Sequence, residues 1–143
     1  MPVIHFTEAD KLAGKVLEKG TYRAILADLK EPQQSSSKKS FTYVATFKLT
    51  EGVAAGKKLE VCYNTETSSS SLLGTRQYAP TRDMLKLAAA VKDIPFDDVP
   101  LDFDSDTIVN KPLDLLIDTA TSEGNILNFI AGYAPEGKGT PAF

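Results

Sequence analysis

The side chains of this chain best equipped for chemistry are cations interleaved with aromatics. Lysine and arginine pair with phosphates, and the faces of tyrosine and phenylalanine take up unpaired bases at about 1 to 3 kcal/mol per stacked base. The candidate phosphate contacts are Arg23, Lys30, Lys38, Lys39, Lys48, Lys58, Arg76 and Arg82, and the candidate stacking rings are Phe41, Tyr43, Tyr63 and Tyr78. Trp is absent, so stacking falls to these rings alone. Phe41, Tyr43 and Tyr63 also share a period-two face with apolar neighbours, so packing in a core competes with stacking at each of them.

Catalytic arrangements find less support. Cys62 is the only cysteine and His5 the only histidine. They lie far apart in sequence, cannot supply a structural zinc site, and leave Cys62 to be read as a small buried thiol in a strand. Asp102, Asp104 and Asp106 alternate as in a calcium loop. Thr107 stands where that loop needs glycine and Leu113 where it needs a bidentate Glu, which leaves a solvated acidic loop. Ser68 to Ser71 has no base beside it in sequence, and no glycine-rich phosphate loop is present. The expectation is a protein that binds without catalysis, metal or cofactor.

Charge is distributed unevenly. The 143 residues carry a net charge of −3, yet residues 1–92 hold 14 Lys/Arg against 9 Asp/Glu, and residues 93–143 hold 2 against 10. Such a split points to a basic working surface and a separate acidic segment. The length suits one domain, and 42% hydrophobic residues suffice for one core. No apolar run approaches the ~18 to 20 residues that span a membrane, the N-terminus lacks a signal-peptide pattern, and one cysteine fits a reducing compartment. A cytoplasmic location is expected, that of the host cell if the chain is phage-encoded.

The elements that must position the candidates follow from periodicity. Thr7 to Lys19 could form a short helical turn in an N-terminal arm, residues 1–19. Thr21 to Lys30 reads as a strand with both faces fairly apolar. Glu31 to Ser40 reads as a loop, Phe41 to Thr50 as the clearest strand, and Lys57 to Asn64 as its hairpin partner across Glu51 to Gly56. Thr65 to Ala79, with its four serines, reads as a mobile loop and turn. Pro80 to Asp93 has Met84, Leu85, Ala88 and Val91 at helical spacing behind a proline. Ile94 to Asp106 reads as an irregular acidic wrap anchored by Phe96, Val99, Leu101 and Phe103. Lys111 to Thr119 and Asn125 to Tyr133 form a second hairpin, and residues 134–143 a loose tail.

The order β-β-β-α-β-β is that of the OB-fold, a Greek-key barrel of five strands with one helix between strands three and four. Residues 20–133 would form that barrel as a single domain. Three segments sharpen the likeness: KGTYRA from Lys19, FTYVATFKLTEG from Phe41 with GKKL from Gly56, and NFIAGY from Asn128 to Tyr133. Together they resemble bacteriophage single-stranded-DNA-binding proteins of OB type over roughly residues 19–134. The resemblance implies sequence-independent binding of single-stranded DNA in phage replication or recombination, and a possible homo-oligomer. It departs at the C-terminus, where such proteins often carry an acidic tail that recruits replication partners. Here the acidic stretch is internal, at Asp93 to Asp106, and phage or host replication proteins are its expected partners. The competing expectation, which the net negative charge favours, is a phage structural or assembly protein whose small barrel binds protein.

Overall fold

Alternation of apolar and polar residues produces strands here, and the pairing of those strands is recorded in a computed structural model. It describes residues 3–5, 16–30, 33–34, 41–52, 54–73, 76–122 and 124–137. Lys38 and Lys39, and most of the expected Thr7-to-Lys19 helical turn, lie outside them. The strands are β1 (Gly20–Leu29), β2 (Gln33–Gln34), β3 (Phe41–Leu49), β4 (Lys58–Asn64), β5 (Ser71–Leu73), β6 (Arg76–Pro80), β7 (Pro112–Ser122) and β8 (Asn125–Ala134). One helix, α1 (Arg82–Lys92), stands between β6 and β7.

The sheet runs β5-β6-β4-β3-β1-β7-β8, with β2 paired to β3 off this path. It curls into a nearly closed barrel of mainly β structure. Neighbours are antiparallel except β4 and β6, which pair in parallel. The five strands expected from sequence are present as β1, β3, β4, β7 and β8, and the count of five is corrected by three short additions. Residues 65–79, expected to be loop and turn, carry β5 and most of β6, and Gln33–Gln34 pairs with Phe41 and Thr42. These strands are too short to show a period, and their pairing is non-local.

Register settles the faces that sequence left open. Ala24 and Leu26 of β1 point inward with Phe47 and Leu49 of β3, Val61 and Tyr63 of β4, and Leu113, Leu115 and Ile117 of β7. A register shift between Leu26 and Asp28 turns β1 so that Leu29 rejoins the core. A second shift, between Leu116 and Ile117, interrupts the β7–β8 ladder. Gly132 lies across from Leu116 there, and a Cβ on it would stand 2.8 Å from Leu116 Cδ1, so a side chain at this position requires the Leu116 side chain to shift. At the β3–β4 connection Gly56 has φ +95° and donates its N–H to Leu49 O at 2.7 Å, a left-handed turn that favours glycine.

Helix α1 packs against β6, β7 and β8. Leu87 and Ala90 join the main core with Met84 and Val91 packed beside them. Ala88 and Ala89 face Val99, Leu85, Ile94 and Phe103 instead. The acidic segment therefore wraps the helix as expected, through two 3-10 turns at Phe96–Asp98 and Ser105–Thr107. Val99 and Phe103 serve as anchors, and Lys92 lies 5.4 Å over the Phe103 ring. Leu101 does not: it is fully exposed, and Ile108, buried in the main core, takes the anchoring role. Asp104 accepts the N–H of Asp106, so the alternating aspartates shape a turn. The expected loose tail is corrected at its start, where Ala134 and Pro135 are buried and Gly137 N–H donates to Asp114 Oδ2.

Two amide side chains stand in for missing strand pairs. Gln77 of β6 donates from Nε2 to Ile130 O at 2.9 Å and accepts from Ile130 N at 2.7 Å through Oε1, bridging β6 to β8 where the backbones do not pair. Asn128 makes the same two-way contact with Leu17 N and O, at 2.7 and 2.8 Å, and ties residues 16–19 to the barrel.

Tyr63 and Tyr133 share a hydrogen bond between hydroxyls inside the core. Removing one hydroxyl strands the other, a loss of about 1 to 3 kcal/mol, whereas removing both is nearly neutral. Urea unfolding is expected to show Tyr63→Phe and Tyr133→Phe each destabilised, and the double variant closer to wild type than either. Burial pushes both phenols above their ordinary range. The neutral forms are favoured in the fold, so this stability is whole below about pH 10 and is lost as pH rises beyond it. An absorbance titration should find two tyrosines that ionise only as the protein unfolds.

Candidate nucleic-acid interface

The barrel's outer surface over β1, β3, β4 and β6 brings together Lys30, Lys48 and Lys58 of the candidate cations, because side chains opposite one another in register share a face. At one end Lys48 of β3 is directly across from Lys58 of β4, with Ile25 of β1 beside them. Both lysines are exposed, and neither makes an ion pair among the described residues. Next come Asp28, Thr46 and Glu60, followed by Val44, Cys62 and Tyr78 with Lys30 alongside, since Lys30 N–H donates to Val44 O at 2.9 Å. Thr42 and Asn64, joined at 2.8 Å through their side chains, complete the surface.

Like charges directly opposite each other on a sheet destabilise it. Lys48 and Lys58 therefore form a site whose electrostatic cost an anion would relieve. Lys57, next in the chain and half-buried, has its ammonium pKa lowered by burial. Hydroxyl and amide groups of Thr42, Thr46 and Asn64 add hydrogen-bonding capacity, and the half-buried ring of Tyr78 adds an aromatic surface.

Not every candidate joins this surface. Arg23 points outward from β1, but its Nε pairs with Asp114 Oδ1 at 2.6 Å, and Glu51 and Glu136 stand 3.6 and 3.7 Å from Nη1. The hydrogen bond to Asp114 raises its pKa, and three carboxylates leave a phosphate little to gain there. This arginine staples β1 to β7 and to residues after β8, a correction to its expected role. Arg76 is paired with Glu60 at 2.6 Å, and that carboxylate raises its pKa; its side chain is still 52% exposed. Arg82, at the start of α1, donates to Ser68 O at 2.5 Å and lies away from the Lys48–Lys58 end.

The aromatics divide as the competing packing reading foresaw. Tyr63 has no exposed surface and cannot stack on a base, which corrects that expectation: the inward phase of β4 puts its ring in the core. Tyr43, its register partner, is half-buried and packed against the same core. Phe41 begins β3 and is 45% exposed, and Tyr78 is on the outer face. Cys62 is buried beneath this face, 4.0 Å from Arg76 Nη1, and burial raises its pKa, so the thiol stays protonated and unreactive.

Sequence reasoning overlooked Gln77, and quoted Asn128 and Phe129 only within the NFIAGY segment, without a role for either. An amide's role as a surrogate strand partner depends on what lies opposite it, and no local pattern announces that. Among the described residues, no three His, Cys, Asp or Glu side chains gather as a metal ion would require, and no helix is long and apolar enough to cross a membrane. Compared with known proteins, the chain matches no protein-family model and no curated protein.

Proposed function

We propose that the protein binds single-stranded DNA without sequence preference, through the outer face of β1, β3, β4 and β6. The carrying observation is the exposed Lys48–Lys58 pair, two like charges held side by side without an ion pair among the described residues, on the surface that also presents Lys30 and Tyr78. The pairing scheme supports an OB-type barrel as well: β1 with β3 and β7, β3 with β4, β7 with β8, and a bridge from β6 to β8 that follows the order in which such barrels close. The resemblance noted in the sequence adds the setting, phage replication or recombination, with the acidic segment as the surface offered to replication proteins.

A protein-binding barrel of a phage particle is the second reading. It is favoured by the neutralisation of Arg23 and Arg76 and by Asp28 and Glu60, which interrupt the basic surface. Fluorescence anisotropy with labelled oligo-dT, a matched duplex and single-stranded RNA, each at low and high salt, separates the two. The first reading expects micromolar or tighter binding to oligo-dT, weaker binding to duplex, and loss of affinity with salt. Absence of binding to all three at low salt would leave the second.

A further inference from the structure

The seam between β6 and β8 contains a groove of about 210 Å³, with Ser70, Ser71 and Leu72 on one side, Thr121 and Phe129 on the other, and buried Gln77 between them. Three features of this groove call for a ligand of one kind. Phe129 is half-buried yet packs into neither apolar cluster, so the core does not account for its ring. Among the described residues the groove is lined by hydroxyls, an amide and apolar surface, and by no charged side chain, which suits a neutral, planar, hydrogen-bonding group better than a phosphate. Its volume is about that of seven waters, room for one base.

Position supplies the link to the cations. Ser71 of β5 is opposite Tyr78 of β6 in register, and Tyr78 is opposite Cys62, in the row that Lys30 and Val44 extend. A chain lying along the outer face thus reaches the groove without leaving the sheet. Ser70 is already committed to Asp83 Oδ2 at 3.2 Å, which leaves Ser71 and Thr121, both exposed, as the hydroxyls at its rim. Gln77 keeps a second N–H and a second lone pair beyond those used on Ile130.

We infer that this groove is a subsite for a single unpaired nucleobase, stacked on Phe129 with its edge met by Ser71 and Thr121. The inference rests on the single-strand reading of the outer face and adds to it a base-binding position that the cations alone do not create. Phosphates remain on the lysines, and the base leaves the stack to enter the seam.

The test uses the full chain, with oligo-dT and an abasic deoxyribose-phosphate strand of equal length as probes at fixed salt. Phe129→Ala and Phe129→Leu should each bind oligo-dT about 5- to 150-fold more weakly. Both should leave abasic-strand affinity and the salt slope unchanged. A Ser71→Ala/Thr121→Val variant, which disturbs no packing in the core, should weaken oligo-dT in the same selective way. In parallel, thymidine alone should shift the backbone amides of Ser71, Thr121 and Phe129 saturably in a nitrogen–proton correlation spectrum. Unchanged oligo-dT affinity in all three variants, with wild type binding normally, overturns the subsite and leaves the outer-face reading standing. A wild type that binds neither strand overturns the outer-face reading, and thymidine then decides the groove: no shift at these amides removes the subsite too.

Discussion

Replacing Lys48 and Lys58 together by alanine is expected to weaken single-stranded DNA binding about 25-fold at 0.1 M salt. Each lysine that neutralises a phosphate on a single strand contributes roughly 0.7 to the slope of log affinity against log salt. At 0.1 M that is about a factor of five in affinity per lysine, and the slope should flatten by about 1.4 for the pair. Both side chains are exposed and unpaired among the described residues, so their removal exposes no buried carboxylate and opens no cavity. The fold should gain slightly instead, because two like charges no longer face each other across β3 and β4. Weaker binding joined to an equal or higher Tm in low salt is the signature expected of a surface kept for an anion. Lys111, exposed before β7 in the acidic half of the chain, supplies the control. Lys111→Ala should bind as wild type does. Equal losses from Lys48, Lys58 and Lys111 would show that net charge alone attracts the strand, and would remove the case for this face.

The largest stability effect is expected at Gln77. Its side-chain amide holds both backbone groups of Ile130, and in Gln77→Ala an N–H and a C=O in the seam lose their partners. Each such group costs about 1 to 3 kcal/mol when stranded, so the variant should lose about 2 to 6 kcal/mol. For a domain whose whole stability is about 5 to 15 kcal/mol, that is enough to threaten folding at 37 °C. Gln77→Glu offers a pH-dependent comparison. An ionised Glu still accepts the Ile130 N–H, but it buries a charge and sets an oxygen against the Ile130 carbonyl. At neutral pH the loss should therefore equal or exceed that of Gln77→Ala, and it should shrink at low pH, where the protonated carboxyl can donate. Urea titration gives the magnitude, and hydrogen exchange gives the location: the Ile130 amide should lose protection before the amides of β1 and β3. A Gln77→Ala midpoint equal to wild type would mean that packing, not this amide, closes the barrel.

These two sites mark where local information begins and ends. The period-two runs of β1, β3, β4, β7 and β8 are legible because each strand buries one face, and burial writes its period into the sequence. Helix α1 is legible for the same reason at period 3.6, with Pro80 before it. Below about five residues the signal vanishes. β5 and β6 hold their places through partners in β4 and, via Gln77, in β8, fifty-three residues away in sequence. The acidic wrap was readable as irregular, but its anchors were not, since nothing in the composition separates exposed Leu101 from buried Ile108.

The candidate interface divides along the same line. By itself the sequence determined which cations and rings exist, their concentration in residues 1–92, and that Cys62 and His5 are its only cysteine and histidine. Only the tertiary structure decided which of them are available. Cross-strand register set Lys48 against Lys58, both without an ion pair among the described residues, while the same register gave Arg23 to Asp114 and enclosed Tyr63 beside Tyr133. The physical reason is that charge and aromaticity belong to the residue, whereas pairing and burial belong to its neighbours, and in a barrel those neighbours come from distant strands.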